Sequence, residues 1–184
     1  MGLVSNLVSR ATVTQMPAPL GHHQISHRTE SGNEHVHSSD VGSGDTLAYV
    51  LFTRILTTHV EFGGWAHWGY NAVSSVDVDG YGRRTAVASL VGGTAYGGAK
   101  AVKLVAVKTL DSNGSGATSR AVAGINWAVS AATANDGCSV LVGGFRGRYF
   151  AAVSAAFTTA HGARASVFIS SIRTTISSPP SHSH

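Results

Sequence analysis

Apolar positions along the chain gather into short blocks separated by Gly, Ser, Thr and Asn. The first forty residues show no sustained period of two or of 3.6, so 1–40 reads as a loop-rich segment with short turns. The core signal begins after it. Thr46-Leu47-Ala48-Tyr49-Val50-Leu51-Phe52 is a nearly continuous apolar run bounded by Gly42-Ser43-Gly44-Asp45 and by Arg54. Such a run, apolar without alternation, predicts a strand buried on both faces. Lys103 to Val107 and Ser139 to Val142 repeat the pattern. Between them, Ser119 to Ala134 carries Val122, Ile125, Val129 and Ala132 at three- and four-residue spacing, the apolar stripe of a helix. Phe150 to His161 predicts a second, Ala-rich helix closed by Gly162, and Ser166 to Ile169 a fourth strand. Asp111-Ser112-Asn113-Gly114-Ser115-Gly116 is turn chemistry, because Asn-Gly tolerates positive φ. Short buried strands alternating with helices predict an α/β domain over 41–176, with a mostly parallel sheet flanked by helices. Ser177 to His184 has nothing apolar to bury and reads as a disordered tail.

Composition narrows the class. With 43% hydrophobic and 12% charged residues, 22 Gly and 4 Pro, disorder, collagen and coiled coil are disfavoured. No apolar stretch reaches the roughly 18 residues of a membrane span, and no basic start with an apolar run and a small-residue cleavage site opens the chain. Neither a membrane partner nor an intact signal peptide is expected. The net charge of +4 points first to an acidic partner, but the ten Arg are scattered and the adjacent pair Arg83-Arg84 has no aromatic platform beside it. Nucleic acid is therefore not an expected partner. Cys138 is the only cysteine, which rules out an internal disulfide; it precedes an apolar run and reads as a small buried hydrophobe.

Three patterns carry candidate chemistry. His22-His23, His27, His35 and His37 are the densest imidazole cluster, and His-x-His pairs suit zinc, copper or nickel. No carboxylate or Cys completes a spaced site, so neither metal nor cofactor is expected. Asp77 and Asp79 are compatible with acid–base or calcium chemistry, but their spacing before Gly80 favours a structural loop. Gly92-Gly93-Thr94-Ala95-Tyr96-Gly97-Gly98 lacks the Lys-Ser or Lys-Thr of a phosphate loop, since Ala101 follows Lys100, and reads as a flexible turn. Trp65, Trp68 and Tyr70 are expected to pack in the core or to cover part of the surface rather than to stack on a ligand.

Several ordered blocks carry a family resemblance: Gln24-Ile25-Ser26-His27-Arg28, Ala48-Tyr49-Val50, His59-Val60-Glu61-Phe62, Ala66 to Ala72, Val76 to Gly80, Leu104 to Lys108, Leu110 to Gly116 and Ala123 to Ala128. Together they resemble the secreted subtilisin-like serine proteases of the proteinase K type, especially the fungal alkaline and cuticle-degrading enzymes. The resemblance implies a three-layer fold and a Ser–His–Asp triad in which Ser attacks the peptide carbonyl, His takes its proton and Asp supports the imidazole.

This chain departs from that pattern at each triad position. Where the family has Asp at the end of the first buried strand, Val50-Leu51-Phe52-Thr53-Arg54 places Phe52, with Arg54 in place of a following Gly. Where the family has Gly-His-Gly-Thr-His, Gly82-Arg83-Arg84-Thr85-Ala86 places Arg83 at the base. No Gly-Thr-Ser-Met-Ala block occurs, and Val167-Phe168-Ile169-Ser170-Ser171 stands where an oxyanion Asn would be. Gly143 and Gly144 keep part of the segment that pairs with substrate in relatives, with Phe145 replacing a third Gly. The likeness fades after about Gly147, which implies a truncated catalytic domain, and Met1 to Pro19 resembles the tail of a prodomain. The expectation is thus a degenerate, inactive endopeptidase homologue. An active serine endopeptidase, should the chain be an incomplete product, and a non-catalytic peptide-binding module are the alternatives. The resemblance also implies an extracellular location, a monomer, and peptide or protein segments as partners.

Overall fold

The computed structural model describes residues 11–28, 32–39, 45–52, 55–73, 83–111, 114–135, 138–144, 151–162 and 165–169. In chain order the elements are β1 (Thr12–Gln15), α1 (Leu20–Ser26), β2 (His35–Ser38), β3 (Leu47–Phe52), a 3-10 turn (Val60–Phe62), β4 (Ala66–Asn71), α2 (Arg83–Gly92), β5 (Lys103–Lys108), α3 (Thr118–Ala134), β6 (Ser139–Gly143), α4 (Ala151–Gly162) and β7 (Ala165–Ile169). β3 to β7 form a five-stranded sheet in the order β4-β5-β3-β6-β7, and every pairing in it is parallel. The predicted alternation of strand and helix thus gives the predicted sheet.

β3 is apolar throughout because both of its faces are covered. Tyr49 and Leu51 enter one core with Val105, Val107 and Leu141, closed by Ile125 and Ala128 of α3 and Phe157 of α4. Ala48 and Val50 enter the other with Leu104 and Ala106, closed by Ala88 of α2 and by Phe62. Period-two geometry sends neighbouring residues to opposite faces, so one strand feeds both cores and three layers result. On α3 the buried stripe is Ala121, Gly124, Ile125, Ala128 and Ala132, whereas Val122 and Val129 flank it partly buried. The smaller residues face the sheet because the helix lies close to it: a Cβ on Gly124 would meet the Thr109 side chain. The Asp111 turn also forms, with Gly114 at φ 80°, and Asp111 Oδ1 accepts from the Ser115 amide at 2.9 Å.

Edge strand β4 has polar residues among its apolar ones, and no core run announces it. Its register against β5 slips between Trp68 and Tyr70, a bulge at Gly69. The extra residue turns Trp68 toward the α2 core and Tyr70 toward the α3 core, where Tyr70 stacks on Trp127 at 5.5 Å.

Three expectations change. Within 1–40, β1 and β2 pair antiparallel from Thr12↔Ser38 to Gln15↔His35, with α1 between them. The pattern did not reveal this unit because its buried side chains are the imidazoles of His23 and His35, which count as polar in any periodicity. Cys138 is exposed rather than buried, since it precedes β6 and its carbonyl accepts from the Leu47 amide at 3.0 Å. The 92–98 stretch is a held turn, as described below. The expected tail at 177–184 lies outside the described residues.

Leu141→Ala, at a side chain with no exposed surface between α3 and α4, is expected to lower stability by about 2–5 kcal/mol in urea denaturation. Gly69→Ala places a Cβ 2.5 Å from Val105 Cγ1 and 2.6 Å from the Trp127 ring. It should cost about 1–3 kcal/mol and alter the near-ultraviolet circular dichroism of the Tyr70–Trp127 stack.

Candidate functional site

Open parallel sheets bind ligands at the carboxyl ends of their strands, where the chain order of the strands reverses. That place in this sheet is the end of β3, flanked by β5 and β6. Phe52 is the last residue of β3, in register with Lys108. Arg83 is the first residue of α2, which leaves the carboxyl side of β4 and returns to β5. Thr85, buried in the first turn of α2, accepts a hydrogen bond through Oγ1 from the Leu56 amide at 3.0 Å, tying the segment after β3 to the start of that helix. Gly143 ends β6, paired with Leu51 on one side and Ile169 on the other, and Gly144 is the first residue past the strand. Phe52, Arg83 and Gly143 therefore come to one end of the sheet from three different elements.

Residue chemistry sets what this end can do. A phenyl ring offers no acceptor to an imidazole N–H and no charge to support an imidazolium. A guanidinium stays protonated at working pH and takes no proton from a hydroxyl. Beside them, Lys108 is 1% exposed and is in register with Asn71 as well as Phe52. In the sequence it stands just past the predicted strand Lys103 to Val107 and closes the block Leu104 to Lys108, and a Lys ending an apolar run is the signal that marks it. Arg54, Asp77, Asp79, Phe145 and Ser171 lie outside the described residues.

The Gly-rich stretch is anchored by Glu61. Its carboxylate accepts from the Ala95 and Tyr96 amides at 3.1 and 3.4 Å, and its carbonyl from the Thr94 amide at 2.7 Å. A Cβ on Gly93 would meet Glu61 Oε2 at 2.5 Å, so glycine there allows the carboxylate to approach. Lys100 closes the turn from its other end, donating to the Thr94 and Ala95 carbonyls at 2.8 and 3.1 Å. Burial lowers the Lys100 pKa, and Glu61 opposes that shift.

The histidines singled out in the sequence do meet. His22 and His35 have ring centroids 5.0 Å apart, His35 and His37 5.1 Å, and His23 stacks on His27 at 4.4 Å. Burial, then His35 and Lys100, lower the pKa of both His22 and His37. Among the described residues, no three His, Cys, Asp or Glu side chains are placed to hold a metal ion. Of the aromatics, Trp68 and Tyr70 pack as expected, whereas Trp65 is half exposed. No described helix is long and apolar enough to cross a membrane.

Known proteins resemble the chain over most of its length. No family model matches. Subtilisin-like protease 1 of Pseudogymnoascus destructans is 42% identical over 149 residues, 80% of this chain and 36% of that protein. Subtilisin-like protease 5 of Arthroderma otae is 39% identical over 160 residues, 86% of this chain and 40% of that protein. A solved cold-adapted subtilisin-like serine proteinase superimposes with a TM-score of 0.75 at 31% identity, covering 83% of this chain and 55% of the other. The chain spans about two fifths of the length of these curated relatives. The collinear blocks, the parallel three-layer sheet and these likenesses agree, and the chain belongs to the subtilisin-like serine protease family.

Proposed function

We propose that this chain is a subtilase homologue without serine-endopeptidase activity of its own. The observation that carries the reading is the pair of residues at the catalytic end of the sheet, Phe52 closing β3 and Arg83 opening α2. By resemblance these are the Asp and His positions, and the residues in place there neither accept the Ser proton nor support the resulting charge. The reading does not depend on where the chain ends. A longer protein that supplied the Ser would still carry Phe52 and Arg83, and a nucleophile without its base retains at most the residual rate of binding and oxyanion stabilisation, on the order of 10³–10⁴ over water. The ligand class that remains is an extended polypeptide segment, met by the backbone around Gly143 and Gly144 and encountered outside the cell, as the resemblance to secreted enzymes implies.

Purified chain is expected to leave a fluorogenic peptide and labelled casein uncut and to take up no fluorophosphonate probe, while an active subtilase in parallel cleaves both substrates and takes up the probe. Probe labelling of a Ser, together with turnover that the probe abolishes, overturns the reading.

A further inference from the structure

The β1-α1-β2 unit meets the 94–100 turn at Gln15 and carries imidazoles that the proposed function leaves unused. Gln15 Nε2 donates to the Ala95 carbonyl at 2.9 Å, and the Tyr96 backbone favours the charged form of His22, against the larger effect of burial. Within the unit, His35 Nδ1 lies 2.9 Å from the His22 carbonyl oxygen, and His23 Nδ1 lies 2.9 Å from that of Glu34. A carbonyl oxygen only accepts, so Nδ1 of both rings carries the hydrogen and Nε2 presents a lone pair. Both Nε2 atoms, and Nδ1 of His22 and of His37, are buried without a hydrogen-bond partner among the described residues.

A second proton on His22 or His37 creates a buried N–H with no acceptor, next to the cation of Lys100. The groups facing the cluster can be named element by element. From α1 and its end come His22, His23 and His27; from β2 and the residue before it come His35, His37 and Glu34; from the 94–100 turn come Tyr96 and Lys100; and behind that turn stands Glu61. Glu34 is engaged by His27, 3.3 Å away, and Glu61 by the Ala95 and Tyr96 amides. Protonated His22 and His37 would therefore face Lys100 and His35 without a carboxylate of their own.

We propose that the His22–His35–His37 cluster is an acid-sensitive latch, holding the β1-α1-β2 unit on the 94–100 turn at neutral pH and releasing it on acidification. The latch is independent of the catalytic reading. The docked unit holds His22 and His37 below their ordinary pKa, so the released unit binds more protons. Docking is then complete above about pH 6.5, the ordinary imidazole value, and weakens as pH falls toward the lowered values.

Amide hydrogen exchange on the full chain at about pH 7.5 and about pH 5, corrected for intrinsic rates, reads this out. Protection of residues 11–28, 32–39 and 94–100 is expected to fall on the order of tenfold at the lower pH, while β3 and β5 keep theirs. In the variant His22→Leu/His35→Phe/His37→Phe the fall should vanish. Should that variant not fold, Lys100→Met serves in its place: with the like charge removed, the acid-induced fall shrinks even though the turn itself loosens. Equal protection at both pH values, an undiminished fall in the variant used, or loss of protection across the whole sheet at once overturns the latch.

Discussion

The domain depends on β3 staying dry on both faces. It is hydrogen-bonded to β5 on one side and β6 on the other, and its residues alternate between two cores. Helices must cover both faces of such a strand, because exposing either would return Tyr49 and Leu51, or Ala48 and Val50, to water. The parallel arrangement demands long crossover connections, and α2, α3 and α4 supply them. Small residues on the inner helix faces, Ala88 on α2, Gly124 and Ala128 on α3 and Ala160 on α4, bring those helices close to the strands.

That same arrangement separates the fold from the chemistry. The layers are held by the middles of the strands and the inner faces of the helices, whereas Phe52, Arg83 and Gly144 stand at or just past the ends of elements. A residue at the end of β3 or the start of α2 can change its chemistry without opening either core. A chain can therefore keep a family's sheet while the residues at these ends vary, and kinship and activity have to be argued separately.

The N-terminal unit obeys a different logic. It contributes no strand to the main sheet and is built from backbone pairing, a seven-residue helix and stacked imidazoles. Its interior is aromatic but titratable. Gly32 is shaped to this packing, for a Cβ there would run into the His23 ring. Imidazole fills such an interior well while neutral and poorly once charged, which ties the docking of this unit to proton concentration in a way that an aliphatic interior would not.

The runs that became β3, β5, β6 and β7 and the stripe that became α3 were legible in the sequence, because burial on both faces and helical period are properties of neighbouring residues. The side-chain chemistry of Phe52 and Arg83 was equally legible, because a phenyl ring and a guanidinium offer no proton acceptor wherever they are placed. Tertiary structure alone decided the rest. Strand order put β3 between β5 and β6, a one-residue slip at Gly69 sent Trp68 and Tyr70 to opposite cores, and Glu61 turned a Gly-rich stretch into a held turn. It also brought His22 and His37 within reach of the charge of Lys100, more than sixty residues further along the chain. Contacts of this kind join residues far apart in sequence, and their energies depend on packing and dielectric surroundings that no local pattern of residues contains.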